Sequence, residues 1–201
     1  FTIGDTGGGF LLRINGQLQT RWMLSTVKSG ETVEDEEIDT WRQGFEVTRA
    51  KLIFSGHVID PSWKYRIELD FGIDGLGAQR TVGDSSDFFD SSAFAQSTPL
   101  RDAYIMKQYD SGFAWMAGRM RVPLTREEMV DSIYQLAADR SLTNAVFTGG
   151  ITNGFAVMWS NDSLKVMGVL SNGANNFGRN ALAPDVEAAA VTGRIDWPIA
   201  G

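Results

Sequence analysis

The chain has 201 residues, no cysteine and a formal net charge of −7, from 25 acidic and 18 basic side chains. Although 43% of its residues are hydrophobic, no run approaches the roughly 18 consecutive apolar residues of a membrane-spanning helix, which excludes a helical membrane protein. A barrel strand needs only about 9–11 residues with one apolar face, so a membrane-spanning β-barrel remains compatible with this composition. The chain starts at Phe1 without an initiator methionine or a signal peptide. We therefore expect a processed or partial chain.

The first predicted strand, Phe10 to Leu24, alternates between an apolar face and a polar face. At about 3.3 Å per residue, a strand of this length crosses a membrane core even when it is strongly tilted. The alternative is an amphipathic strand of a soluble sheet. Its apolar positions include Phe10, Leu12, Ile14, Leu18, Trp22 and Leu24, and its polar positions include Arg13, Asn15, Gln17, Gln19 and Arg21.

Seven more segments alternate in the same way, and the clearest two flank a tight turn at Asp60-Pro61-Ser62. In the segment before this turn, Val47, Arg49 and Lys51 share one face. A later segment, residues 100–109, does not reveal which of its faces is polar. The seven predicted strands are 47–58, 63–71, 100–109, 113–121, 153–159, 164–170 and 188–197.

The breaks between these strands alternate in length. Hairpins of a transmembrane β-barrel have short turns on the periplasmic side and long loops on the outer side, whereas a soluble sandwich has no reason to keep this asymmetry. The sequence therefore predicts an all-β fold, a transmembrane antiparallel β-barrel of about eight strands. Short turns lie at 60–62, 109–112 and 160–163, and long polar segments lie at 26–42, 72–98, 122–152 and 171–184.

The long segment 122–152 carries its own helix signals. Pro123 stops the preceding strand, and Thr125 with Glu128 forms a capping box. A long loop with an apolar helix face must bury that face, so we expect the loop to fold into the barrel and narrow the pore. The alternative is an external cap over the barrel mouth. The apolar positions at near-helical spacing are Met129, Ile133 and Leu136.

Sorted by strand face, the charged residues separate by sign. Only Glu68, Asp70 and Asp196 share the polar wall with the basic residues, and the other acids concentrate in the long segments. A lumen lined by one sign of charge concentrates ions of the other sign, which predicts an anion pathway, with Arg126 and Arg140 at its constriction. The alternative is that the wall charges only pair across strands. The predicted basic wall comprises Arg13, Arg21, Arg49, Lys51, Lys64, Arg66, Arg119, Arg121 and Arg194.

Five stretches follow one another along the chain as a basic strand, a strand after a tight turn, an Asp-Ala-Tyr strand, a Gly-x-x-basic-x-Pro corner and a long loop. In this order they resemble the phosphate-selective porin O and P family of bacterial outer-membrane channels, over about residues 45–197. The stretches are Phe45 to Gly56, Trp63 to Phe71, Leu100 to Tyr104, Gly118 to Leu124 and Asp139 to Leu142.

The resemblance implies a sixteen-stranded, homotrimeric barrel in the bacterial outer membrane, with an arginine ladder in its lumen and a constriction that binds phosphate or related anions. Residues 1–201 would then be the N-terminal part of a single barrel domain, about half of the barrel. Its partners would be membrane lipid, lipopolysaccharide and small anions or other small solutes. Arg121 stands where the family commonly has lysine, and residues 149–154 lack the arginines often found there. General small-solute passage therefore stays open beside phosphate selectivity.

Two other functions are compatible with the sequence, namely a structural barrel that acts as an anchor or assembly partner and a soluble all-β carbohydrate-binding domain. Detergent dependence and channel conductance would separate these readings. We do not expect an enzyme, because the single histidine, His57, has no serine or acid nearby in a triad pattern. We also expect no cofactor and no nucleic-acid partner. We expect no metal site, since the acids of residues 34–39 lack calcium-loop spacing.

Overall fold

The computed structural model describes residues 1–5, 7–33, 36–72, 100–137, 139–173 and 189–197. Within these ranges nine strands form one antiparallel sheet in sequence order, with β1 and β9 as its two edges. The fold is all-β, as predicted, and the short β1 is additional to the eight predicted strands. The strands are β1 Thr2–Gly4, β2 Phe10–Val33, β3 Glu36–Val58, β4 Trp63–Asp70, β5 Leu100–Gln108, β6 Phe113–Arg121, β7 Ile151–Ser160, β8 Lys165–Ser171 and β9 Ala190–Asp196.

Tight turns join β3 to β4, β5 to β6 and β7 to β8, as predicted. In the first turn the Asp60 carboxylate accepts hydrogen bonds from the Ser62 hydroxyl and, at 2.7 Å, from the Ser62 backbone N–H. These hydrogen bonds hold the pKa of Asp60 below its usual value. In the second turn Gly112 has a φ of 80°, and a Cβ there would lie 2.1 Å from the Ser160 carbonyl oxygen. That turn therefore requires glycine.

The prediction of a long loop at residues 26–42 is wrong. β2 continues to Val33 and β3 begins at Glu36, and pairs such as Thr26 with Trp41 keep the two strands together. Residues 26–42 are mostly polar and lack the apolar alternation by which a strand is recognised, so their sequence resembles that of a loop. The predicted long segments 72–98 and 171–184 lie outside the described residues, apart from residues 72 and 171–173.

The sheet has an apolar face and a charged face. The apolar face is defined by large side chains that remain exposed, including Leu18, Trp22, Phe155, Leu170 and Val191. A contiguous exposed apolar band is uncommon on a soluble monomer and is the normal lipid-facing surface of a barrel. The charged face lies opposite and is defined by Lys51, Arg66, Glu68, Asp70 and Asp102.

A slip in the β2–β3 pairing corrects one predicted face. Gln19 pairs with Arg49 and Thr20 pairs with Val47, which leaves Thr48 as an extra residue. Val47 therefore lies on the apolar face with Thr20, and not beside Arg49 as alternation predicted. A bulge of one residue exchanges the two faces of a strand, because side chains alternate with a period of two.

A second slip lies between β4 and β5. Glu68 pairs with Asp102 and Leu69 pairs with Leu100, so Arg101 is the extra residue. The pairing register therefore shows which face of β5 is polar, since Asp102 lies on the charged face directly opposite Glu68. The bulge also lets Arg101 reach the charged face, where its guanidinium lies 3.5 Å from Asp70.

A group of aromatic rings lies on the apolar face, on strands that flank the short turns. The rings of Trp63 and Trp115 are in edge contact at 5.6 Å, and Trp115 stacks on Phe155 at 6.0 Å. Lys107 belongs to this face, with its ammonium 4.9 Å from the centre of the Trp63 ring and bonded to Ser62. A lysine among aromatic rings is typical of a membrane interface.

The segment 122–152 contains α1 Arg126–Met129, a 3₁₀ turn at Ser132–Tyr134 and α2 Leu142–Phe147. One half of the predicted capping box is confirmed, because Thr125 Oγ1 accepts the Glu128 N–H at 3.3 Å, while the Glu128 carboxylate bonds to Asn144. The predicted buried apolar stripe is wrong. α1 ends after one turn, where Val130 is extended, and Ile133 and Leu136 are exposed. No helix within the described ranges is long and apolar enough to cross a membrane.

Candidate functional site

Glu68 is the centre of an ionic network on the charged face. Its side chain is completely inaccessible to solvent and contacts three cations. Lys51 Nζ lies 2.8 Å from Glu68 Oε1, while Arg66 Nη2 and Arg121 Nη2 lie 2.5 and 3.4 Å from Glu68 Oε2. The three cations come from three different strands, so the network exists only when β3, β4 and β6 are assembled.

Two more carboxylates extend the network on either side of Glu68. Asp102 lies 3.2 Å from Arg121 Nη2 and 3.6 Å from Arg66 Nε. Asp70 lies 3.5 Å from Arg101 Nη1 and 4.0 Å from Lys51 Nζ. Charged groups removed from water in this way need both opposite charges and hydrogen bonds, and the wall supplies both.

The segment 122–152 contacts this network through polar groups. Asp131 Oδ2 lies 2.5 Å from Arg66 Nη2. Ser132 Oγ accepts a hydrogen bond from Lys51 Nζ at 2.9 Å and donates one to Gln17 Oε1 at 2.9 Å. These contacts lay the segment against β2, β3 and β4, and they replace the apolar packing that the sequence predicted.

A second set of contacts joins the segment 122–152 to the charged face at Arg21 on β2 and Arg49 on β3. Asp139 lies 2.5 Å from Arg21 Nη1 and 3.9 Å from Arg49 Nη2. Arg21 also contacts Glu46 on the adjacent strand. Asp139 is half exposed, so water screens this contact more than it screens the contact of Asp131.

Glu128 and Asn144 hold the segment together internally. The Glu128 carboxylate accepts a hydrogen bond from Asn144 Nδ2 at 3.0 Å and lies 3.5 Å from Arg140 Nε. Burial lowers the pKa of Arg140. The Ser141 hydroxyl and N–H donate to the Glu127 carboxylate at 2.6 and 2.7 Å, and these bonds lower the pKa of Glu127. The two short helices are therefore fastened to one another by hydrogen bonds.

The structure brings several of the predicted wall residues together and leaves others apart. Lys51, Arg66 and Arg121 meet at Glu68, and Arg21 and Arg49 meet at Asp139. Arg119 is buried and donates from Nε to the Leu100 carbonyl at 2.9 Å. The others lie apart: Arg13 is exposed, Lys64 bonds to Gln108, Arg194 pairs with Asp196, and Arg126 lines a separate cavity of about 440 Å³ with Lys165 and Asp196.

Arg121 reaches the charged face although strict alternation would not place it there. Register pairs Met106 with Met116 and Tyr104 with Gly118, so the even-numbered positions of β6 share the face of Arg66. Beyond Gly118, whose φ is 129°, the residues 119–121 are all buried. A Cβ at Gly118 would lie 2.2 Å from the Ala103 carbonyl oxygen. Glycine is therefore required at this position, beyond which the residues of β6 no longer alternate between the charged face and the apolar face.

The sequence predicts Glu68 and Asp70 on the wall but does not reveal the other acids that pair with it. Asp102 lies in the strand whose polar face the sequence does not reveal, and nothing in the sequence assigns Asp131, Asp139 and Glu46 to the wall. The only local signal was the Asp-Ala-Tyr stretch at 102–104. The wall is therefore less one-sided in charge than nine basic against three acidic residues implied.

An apolar cluster occupies the other half of the same face. Met116, Met120, Ala156 and Val169 are buried, and Tyr104, Met106, Met158 and Met167 pack around them. Register continues the row of Lys64 through Met106, Met116, Ala156 and Val169. The charged network is consequently confined to one side of the described sheet.

An antiparallel sheet with an exposed apolar face, a charged face and a long segment laid against the charged face defines the wall of a membrane channel. The family model of the phosphate-selective porins O and P matches residues 31–192. The chain belongs to this family, which is a family of channels rather than of enzymes. A comparison with curated proteins gave no match.

Proposed function

We propose that this protein is a porin of the bacterial outer membrane through which small anions, phosphate-like anions among them, diffuse passively. The observation that carries the proposal is the cluster of Lys51, Arg66 and Arg121 on the face opposite the exposed apolar band. Cations held in a concave, low-dielectric wall raise the local concentration of anions.

Buried polar atoms of both signs are without a hydrogen-bond partner in this wall. In the described part of the chain they include the Nε atoms of Arg101 and Arg121 and the carboxylate atoms Asp70 Oδ2 and Asp102 Oδ1. Buried polar groups are normally satisfied by protein or by water, so these atoms suit bound water, in keeping with a water-filled pore.

The polar contacts of the segment 122–152 support its place inside the lumen. Asp131, Ser132 and Asp139 all contact the charged face, and none of them contacts the apolar face. We therefore propose that this segment narrows the pore, with Arg140 fastened near the constriction. For Arg126 the contacts favour the cavity beside Asp196, so we propose that it lies away from the Glu68 network.

The pairing of the wall cations supports a second candidate, a porin for small solutes with only a modest charge preference. Glu68, Asp70 and Asp102 neutralise much of the positive charge at the surface of the wall. The family further supports a sixteen-stranded homotrimer that contacts lipid and lipopolysaccharide, of which the nine described strands would be about half.

Reconstitution in planar bilayers tests the proposal. We expect a reversal potential in a KCl gradient that favours chloride, and we expect Arg66→Gln to weaken this preference. Arg13→Gln removes the same charge from an exposed position outside the network, where screening is greater. It should change the reversal potential less. A parent protein that favours potassium would contradict the proposal.

A further inference from the structure

Arg66 is the cation of the network that solvent reaches most easily. Its side chain is 23% exposed, compared with 1% for Lys51, 9% for Arg121 and 10% for Arg101. A permeating ion that moves along the charged face would therefore contact Arg66 before it contacts the other three cations.

The carboxylates around Arg66 differ in origin. Glu68 and Asp102 belong to the strands, are 0% and 6% exposed, and each is shared with Arg121. Asp131 belongs to the long segment 122–152, is 14% exposed, and makes its single ion pair in the described part of the chain with Arg66. Of these three carboxylates, Asp131 is the one that can leave without breaking apart the wall.

Asp131 also occupies the place that an anion would take. Its Oδ2 contacts Arg66 Nη2 in a charge-assisted hydrogen bond of the kind that phosphate and carboxylate oxygens both make to guanidinium groups. The adjacent Ser132 remains bonded to Lys51 and Gln17. A carboxylate tethered this close has a high effective concentration at Arg66, so it competes with free anions.

We infer that Asp131 is an internal competitor for the anion pathway, a specificity-determining residue that occupies Arg66 and is displaced by each permeating anion. The inference rests on the proposed function of an anion-conducting lumen. Conduction requires binding that is strong enough to admit an ion and weak enough to release it. Because Asp131 and the permeating anion replace one another at Arg66, a negative group stays beside Arg66 throughout. Each anion remains bound for a shorter time.

Phosphate block of the chloride current measures the competition in the purified, reconstituted porin. Asp131→Asn should lower the half-blocking phosphate concentration about tenfold, because a charged hydrogen-bonding competitor is removed. Asp131→Glu keeps the carboxylate and should retain the parental block. Asp110→Asn removes the same charge from the tight turn at 109–112 and should have no effect.

Ser132→Ala separates competition from simple anchoring of the segment. It removes the bonds to Lys51 and Gln17 without changing any charge. The inference fails if Asp131→Asn leaves phosphate block unchanged, if Asp131→Glu behaves like Asp131→Asn, or if Ser132→Ala strengthens block to the same extent. The reversal potential in KCl gives a separate result. A cation-selective parent would overturn the proposed function, while a shift towards chloride in Asp131→Asn would still support the role of Asp131.

Discussion

Glu68 shows how a single acidic residue organises the basic wall. It lies on β4 with no exposed surface and contacts cations from three strands. Each of these cations would repel the others without it, because all of them are largely withdrawn from water. A carboxylate in the proposed anion pathway is therefore not a contradiction, since it allows several cations to be packed side by side.

Replacing this carboxylate should strongly destabilise the protein. We expect Glu68→Gln to lower the free energy of unfolding by about 3–5 kcal/mol, because it leaves buried cations without their partner. Urea unfolding of the reconstituted protein, followed by tryptophan fluorescence, measures the change. Asp196→Asn is a control at a more exposed pair with Arg194, where the cost should stay below about 1 kcal/mol. Equal losses in the two variants would contradict the importance of the Glu68 network.

At the scale of elements, β2 illustrates how one strand separates lipid from lumen. Leu18 is 74% exposed on the apolar face, and Asn15, three residues earlier, pairs with Ile53 on the charged face. Leu18 belongs to the exposed apolar band, which is uncommon in water and normal against hydrocarbon. The two positions lie close along the same strand and differ chiefly in the face that they occupy.

An arginine should therefore be tolerated on one face of β2 and rejected on the other. We expect Leu18→Arg to cost about 2–4 kcal/mol of folding free energy if the position lies near the bilayer centre, and Asn15→Arg to cost much less. Unfolding in lipid vesicles measures both variants. Similar costs at the two positions would argue for a soluble sheet or for a different register.

At the scale of the whole molecule, the sheet is asymmetric from end to end. The three short turns lie at one end, and the β2–β3 hairpin and the segment 122–152 extend from the other. The ring group of Trp63, Trp115 and Phe155 marks the apolar face near the short turns. Barrels of this kind place short turns in the periplasm and long loops outside the cell.

Labelling of intact cells tests this orientation, and the absence of native cysteine makes it specific. A large maleimide that cannot pass through a porin should modify Glu37→Cys, at a position next to the last described pair of the long hairpin, Val33 with Glu36. It should modify Asp110→Cys, in a short turn, only after the outer membrane is opened. Labelling of Asp110→Cys in intact cells would reverse the orientation.

The fold class and the family could be predicted from the sequence alone, because the sequence signals for both are local. The two-residue period of β2 and β4, the tight turn at Asp60 and the capping box at Thr125 each depend on neighbours within a few residues. These signals predicted eight of the nine described strands and the family. The paired strands at 26–42 are not predicted, because their sequence carries no such two-residue period.

Only the tertiary structure decided which charges meet. Asp131 contacts Arg66 across 65 residues, and Arg121 contacts Glu68 across 53. The bulges at Thr48 and Arg101 decide which side chains share a face, and a slip of one residue reverses that outcome. Such slips depend on the pairing of two strands at once, which neither strand specifies by its own alternation. The sequence therefore predicted a basic wall, while register and the fold of the long segment determined which acids join that wall, which of its cations are paired and which remain within reach of an ion.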